Sequence, residues 1–410
     1  MKQIYSYVAG LAVLAMTFSA HAGGYQLNDY SVTGLGRSYA GQGIMGDDYS
    51  AIAYNPAGMT LMKRSGVQQA LSMINLKSDL KGLGSNEGNS AKMDFWQPVP
   101  AGFAQYNVND KLFLGMGIYG SYGLKTQYKS DWFGKYSAIL SKLDIADFNF
   151  SAAYKVTQHW SVGASAILRY IYGRMTQKYP SGTPYGDLDV NFNVHGWTQT
   201  GSLGVMYEVD DKTRFGLSYR LRSAQRAKGL FKRTAERPEL AMMNGSFDVN
   251  ANPDLPETVT FSAYHRYKDL GFSGTARWTH WTSSFPSFTI RSEGIPGTGE
   301  KISEYRYANT WTLTAGVDYY YDQNWTFRLG GGWDESPTHK PERRTFRIPD
   351  NDRWWMSVGA SYAKNNWQID MAYAHMIGKT GESTEDPLGI YAKYKNLQSN
   401  ILGVQLQYKF

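Results

Sequence analysis

The sequence predicts an all-β protein: a transmembrane antiparallel β-barrel of about 14 strands, its lumen plugged by an N-terminal hatch. Three observations carry this. Segments of alternating apolar and polar residues recur from the middle of the chain to its last residue. The connections between them alternate short and long, as periplasmic turns and outer loops do in such barrels. The chain opens on an export signal, and no later apolar run is long enough for a spanning helix, so a membrane-spanning form has to be a barrel.

Residues 1–22 read as a signal peptide, with Lys2, an apolar run from Val8 to Phe18, and the small-residue pattern Ala20-His21-Ala22 before a cut at Gly23. A membrane anchor is the other reading, but the run is too short to span and no stop-transfer charges follow. Residues 23–62 are rich in Gly, Ala and Ser, have no strand alternation and carry an Asn55-Pro56-Ala57-Gly58 turn. An irregular segment of this length needs a container. Residues 63–410 supply one.

In that part Leu402, Val404, Leu406, Tyr408 and Phe410 alternate with Gly403, Gln405, Gln407 and Lys409. Trp160 through Tyr172, Phe215 through Leu221, Trp311 through Tyr319 and Trp367 through Tyr373 repeat the pattern. Short connections fall at Asn109-Asp110, Thr157-Gln158, Asp210-Asp211, Lys268-Asp269, Asp322-Gln323 and Asn365-Asn366. Longer ones fall near 77–94, 123–143, 178–190, 232–254, 293–301, 336–350 and 380–395. A soluble sandwich would alternate too, but here aromatic residues crowd strand ends. Trp160, Trp325 and Trp367 stand at one end, and Tyr170, Tyr172, Trp278 and Trp333 toward the other, as interfacial girdles require. A mean hydropathy of −0.46 is compatible with this, because lumen-facing residues dilute the oily face. Phe410 fits the C-terminal aromatic that outer-membrane barrels present to the barrel assembly machinery.

The chain has no Cys, which excludes disulfide and thiolate chemistry and a lipid-modified mature Cys. Its net charge of +7 is spread without a dense basic run, so no nucleic-acid partner is expected. The seven His show no nucleophile or metal-ligand spacing, so no enzyme activity, metal or cofactor is expected. In the loop at 132–143, Trp132, Phe133, Tyr136, Ile139, Leu140 and Leu143 recur at three- and four-residue spacing. That predicts one apolar face of a short helix, either packed on the rim or offered outward as a binding platform. By parity Arg169, Arg214, Arg220, Arg222, Arg277 and Arg328 face the lumen, and Arg174, Lys178 and Arg306 lie nearer its outer end. Singly they suit pairing with lumen acids or tethering of the N-terminal segment; together they could hold an amphiphile by its carboxylate.

The stretch GGYQLNDYSVTGLGRSYAGQG…DDYSAIAYNPAGM resembles the hatch of the FadL family of outer-membrane long-chain fatty acid and hydrocarbon transporters. VDYYYDQNWTFRLGGGWDESP followed by FRIPDNDRWWMSVGASY resembles its late strands, and YGLKTQY at 122–128 the start of its third outer loop. The resemblance runs over essentially the whole mature chain. It implies capture in an outer hydrophobic groove to which 132–143 contributes, then transfer to an internal site. Candidates there are Tyr25 and Leu27 at the N-terminus and the cations Arg169, Arg174, Lys178 and Arg306. Asn55, Pro56 and Ala57 match the hatch motif. A kink in the third strand, which Gly115, Gly117 and Gly120 suit, would open a lateral exit. The family's carboxylate-pairing Arg falls on or beside Gln177, and its Lys partner near Ala308. The resemblance implies passive, ligand-gated uptake of long-chain fatty acid, or of aromatic hydrocarbons or other lipids by the same route, with a surface adhesin or phage receptor as the reading from another class. A monomer in contact with outer-membrane lipid and lipopolysaccharide is expected.

Overall fold

The computed structural model describes residues 26–284, 287–292, 300–304, 306–384 and 389–410. The predicted signal peptide, Tyr25, and most of the predicted connection at 293–301 lie outside the described residues.

Strands β1 (Gly66–Leu83), β2 (Ser90–Asn107), β3 (Leu112–Gln127), β4 (Leu140–Lys155), β5 (Trp160–Pro180) and β6 (Asp187–Glu208) form a meander. The next four staves are each interrupted, giving β7 (Thr213–Arg220) and β8 (Ala227–Ala235), β9 (Gly245–Ala251) and β10 (Thr258–Tyr267), β11 (Leu270–Thr279) and β12 (Ser287–Ser292), and β13 (Glu300–Glu304) and β14 (Thr310–Tyr320). β15 (Trp325–Asp334), β16 (Arg353–Lys364), β17 (Trp367–Gly378), the short β18 (Gly381–Ser383) and β19 (Tyr391–Lys409) follow. Pairing runs from β1 to β7, then through β10, β11, β14, β15, β16, β17 and β19 back to β1, a closed antiparallel barrel of 14 strands. The closing ladder extends from Gly66↔Lys409 to Leu83↔Tyr391.

The wall is inside-out relative to a water-soluble protein. Phe150, Leu168, Leu203, Leu329, Val358, Met371, Leu402 and Val404 are exposed on its outside. Ser72, Asn149, Ser165, Ser202, Thr312, Asp370, Gln405 and Gln407 are buried within. Lipid is the solvent that makes this arrangement favourable. Next to the short turns the ring pairs Trp160–Tyr207, Trp325–Tyr362 and Trp367–Tyr408 lie 4.7, 4.8 and 4.6 Å apart, while Tyr170–Trp197 and Trp333–Trp354 mark the opposite belt. Two of the predicted short turns are two-residue hairpins, and Lys268 and Asn365 take the positive φ (53° and 57°) such turns demand.

The strands outrun the predicted ones at the far end. β5 and β6 have 21 and 22 residues, about twice what a tilted span needs, so the connections expected at 77–94 and 178–190 are largely ladder and that at 232–254 partly so. Above the lipid the outer face no longer has to be apolar, so alternation fades while backbone pairing continues.

Residues 26–62 lie inside the barrel, holding helices α1 (Val32–Leu35) and α2 (Ala51–Tyr54) and a 3-10 turn, Pro56–Leu61. Lumen side chains satisfy its backbone. Gln405 accepts from the Val32 amide (2.9 Å) and Gln68 from that of Tyr49 (2.7 Å). Arg220 donates to the Ala53 carbonyl (2.8 Å) and Arg214 to that of Met45 (2.6 Å). Gly330 permits a close backbone approach, since a Cβ there would stand 2.2 Å from the Arg37 carbonyl carbon.

Candidate functional site

The barrel wall is incomplete at one place. β2 pairs with β1 from Ser90 onward, and β3 pairs with β4 out to Gln127↔Leu140. Between β2 and β3, however, the ladder runs only from Asn107↔Phe113 to Ala101↔Tyr119. Beyond that point Pro98 and Pro100 deprive β2 of two donors, and β3 slips register between Gly120 and Tyr122, leaving Ser121 as a bulge. The N-terminal segment occupies this break. Gln26 bridges Tyr122, and the Leu27 amide donates to the Ser121 carbonyl at 2.9 Å. An unpaired strand edge is a template for another strand, and here the chain's own N-terminal segment supplies it.

Outward of this contact the lumen holds an apolar cavity of about 620 Å³, lined by Leu124, Leu143, Ile171, Met175, Phe192 and Ile348 among others. Its largely apolar lining suits a small hydrophobic molecule. Lys142, Arg174 and Arg347 are the cations along its edge, and Arg347 comes from the loop between β15 and β16. Arg347 donates through Nη2 to the Gln177 side chain and through Nη1 to Ser141 Oγ (3.2 Å), and its carbonyl accepts from Thr126 Oγ1 (3.0 Å). A second cavity of about 480 Å³ shares Leu124 and Ile348 with the first and is bordered by Lys125 and Thr126 on the unpaired half of β3. The two chambers and the wall break therefore adjoin.

Several predicted site residues lie elsewhere. Arg169 is buried in a two-point ion pair with Asp147 (2.6 and 2.8 Å), so its guanidinium braces the wall. Arg174 borders the larger cavity along β5, but the strand's burial alternation puts it on the face of Tyr170 and Tyr172, opposite Arg169. Lys178 pairs with Asp189 (2.7 Å) and Glu236 on the rim. Arg306 is exposed at a positive φ of 46°, and its carbonyl accepts from Arg343. Leu27 is fully buried at the β3 contact rather than in the larger cavity, and Tyr25 lies outside the described residues. The predicted outer helix is a series of turns, with Leu140 and Leu143 in β4. Trp132 is buried, stacked on Tyr128 (4.1 Å) and edge-on to Phe346, with its indole N–H on the Ala138 carbonyl (2.6 Å). Packing on neighbouring elements outweighs the weak propensity of so short a helix, and Leu143 turns to the lumen cavity instead.

Asn55 caps the 3-10 turn by accepting from the Ala57 amide (3.1 Å) and donates to the Val205 carbonyl (3.3 Å). Pro56 and Ala57 sit so close to β5 that a Cβ at Gly163 would lie 2.5 Å from the Ala57 nitrogen. This motif is an anchor of the segment's far end. Gly115 and Gly117 serve the same packing: a Cβ at Gly115 would meet Met59 and Ile52, and one at Gly117 would meet Phe103. Both are regularly paired on either side, so the kink belongs to Gly120 and Ser121 alone.

Beside the strap, burial raises the Asp29 carboxyl to about 6, against a hydrogen bond from the Tyr39 hydroxyl that lowers it. A carboxyl raised on docking favours the docked state fully below its ordinary value near 3.8, and that contribution disappears as pH rises through about 6. The protection factor of the Leu27 amide, its exchange relative to the intrinsic rate at each pH, is therefore expected to fall between pH 4 and 7, by a free energy of up to ~3 kcal/mol, and Asp29→Asn to flatten that dependence. A Leu27 protection factor with the same pH profile in both proteins would refute the linkage.

The family model for outer membrane protein transport proteins (OMPP1/FadL/TodX) matches residues 13–410. A long-chain fatty acid transport protein of Shigella flexneri is 27% identical over 445 residues, covering 98% of this chain and 97% of the relative. The crystal structure of a Pseudomonas aeruginosa FadL homologue superposes with a TM-score of 0.83 at 24% identity, over 94% of this chain and all of that one. The Pseudomonas putida toluene transporter TodX gives 0.67 at 17% identity, over 88% and 94%. These structural likenesses are of fold. With its closed barrel, its filled lumen and a family match over nearly its whole length, the chain belongs to the OMPP1/FadL/TodX family of outer-membrane transport proteins, which are channels for hydrophobic substrates and not enzymes.

Proposed function

We propose that this protein carries long-chain fatty acids across the outer membrane by passive diffusion, with ligand-gated movement of the N-terminal strap opening a lateral exit between β2 and β3. The observation that carries the reading is Arg347 at the polar margin of a mainly apolar cavity, with its guanidinium reaching Gln177 and Ser141. A carboxylate entering there would gain charge-assisted, two-point hydrogen bonds while its chain lies along Leu143, Met175 and Phe192. Gln177 stands at or beside the place of the family's carboxylate-pairing Arg, so this chain would offer the same charge from a loop rather than from β5. The relative's name, a long-chain fatty acid transport protein, supports the same substrate class. From the cavity the ligand would pass Leu124 and Ile348 into the second chamber and leave through the break once the strap at Gln26 and Leu27 withdraws. In this reading residues 23–62 are the hatch and 63–410 the barrel. A neutral aromatic hydrocarbon is the second reading, favoured by the mainly apolar lining and by the shared fold with the toluene transporter.

Arg347→Ala separates the two. A lost charged hydrogen bond is worth about 1.5–3 kcal/mol, so fatty-acid affinity should fall roughly tenfold or more while uptake of toluene holds. Equal fatty-acid uptake by both proteins would leave the carboxylate reading without support and favour the hydrocarbon one.

A further inference from the structure

The outer surface beside the wall break carries three cations in one row. Lys125 on β3 is directly opposite Lys142 on β4, and Lys142 is directly opposite Arg174 on β5. Like charges facing one another across adjacent strands repel. One carboxylate answers them: Lys142 Nζ lies 2.8 Å from Asp144. Lys125 instead places its Nζ 4.8 Å from the Phe95 ring centre, across the gap to β2. The Arg174 Nε is buried and has no hydrogen-bond acceptor among the described residues.

The level of this row is informative. Register puts Arg174 one outward-facing position beyond Tyr172 on β5, and Tyr170 packs on Trp197 at 5.0 Å as part of the outer aromatic belt. Such belts lie at the headgroup level of a bilayer, so the cations stand just above it on the side of the long loops. Lys142 also hangs over the Tyr172 ring at 5.7 Å, which ties it to that belt. An amine and a guanidinium on adjacent strands, at headgroup depth and with one carboxylate between them, fit a phosphate.

We propose that Lys142 and Arg174 bind the phosphate of a phosphorylated glycolipid of the outer leaflet, seating one lipid molecule beside the break between β2 and β3. The lipid's acyl chains would then lie along half-buried Phe148 on β4 and exposed Leu168 on β5. Lys125, Lys142 and Arg174 also border the cavities of the lumen, and the phosphate would lie on the face that Lys142 and Arg174 turn to the membrane.

The test uses the full mature chain in detergent micelles. Binding of bisphosphorylated lipid A, enzymatically dephosphorylated lipid A, oleate and inorganic phosphate is read by native mass spectrometry and by competition. Phosphorylated lipid A should bind at least about tenfold tighter than the dephosphorylated form. Lys142→Gln with Arg174→Gln should remove that preference, and Lys142→Arg alone should keep it. Heat-modifiable electrophoretic mobility reports whether each barrel is folded; if the double variant fails to fold, Arg174→Gln alone decides by the same measure. No preference for the phosphorylated lipid, a preference that survives in the folded variant, or equal competition by oleate would overturn the proposal. Competition by inorganic phosphate as tight as by the lipid would overturn the lipid assignment.

Discussion

Arg37→Ala is expected to destabilise the docking of the N-terminal segment by roughly 3–5 kcal/mol while leaving the barrel closed. Arg37 and Asp47 come from the segment, Asp318 and Arg328 from β14 and β15, and the four interlock. Arg37 reaches Asp47 at 2.6 Å and Asp318 at 3.2 Å, and Arg328 reaches the same two carboxylates at 3.3 and 3.0 Å. Arg37 and Asp318 are almost wholly buried. Burial by itself raises the Asp47 carboxyl, but the two guanidinium groups outweigh it and hold that carboxyl well below the usual range. Truncating Arg37 therefore leaves the buried Asp318 and the part-buried Asp47 sharing one cation. The cost is that of the stranded charge more than of the lost contact, and this predicts a rescue: Arg37→Met combined with Asp318→Asn removes one charge of each sign and should be markedly more stable than Arg37→Met alone. Proteolysis or amide exchange over residues 26–62 measures docking, and heat-modifiable mobility reports the barrel. A single variant as well protected as the parent would show that the quartet does not hold the segment.

That quartet also shows what a linear reading can reach. Arg328 and Asp318 are assigned to the lumen by strand parity, and pairing or tethering is the role the structure gives Arg214, Arg220, Arg277 and Arg328. The barrel, its short turns and its girdles were legible because each depends on local alternation. Arg347 was not. It sits in a loop that folds back into the lumen, and nothing within a few residues of it announces that return; its meeting with Gln177 spans 170 positions. Trp132 misled for the opposite reason, since its local spacing suggests a helix while distant Phe346 and nearby Tyr128 decide its place. The wall break had a usable signal in Pro98 and Pro100, opposite the bulge at Ser121, rather than in Gly115 and Gly117.

Locking the strap to β3 is expected to abolish uptake reversibly. Gln26 and Tyr122 form an antiparallel bridge whose neighbouring hydrogen bond, Leu27 amide to Ser121 carbonyl, makes them a non-hydrogen-bonded pair. In such pairs the Cα atoms lie about 4.5 Å apart with side chains close, within the span a disulfide tolerates. The chain has no other Cys, so Gln26→Cys with Tyr122→Cys can form only this intramolecular bridge. Oxidised, the variant should transport labelled fatty acid at least about tenfold more slowly than after reduction, because the strand that fills the wall break could no longer leave it. Comparing the two redox states of one variant cancels the packing lost with the Tyr122 ring, and each single Cys variant should be insensitive to reductant. If the strap moves to let substrate out, the bond has to stop it. Equal transport by the oxidised and reduced forms would mean that substrate leaves by a route this strap does not close.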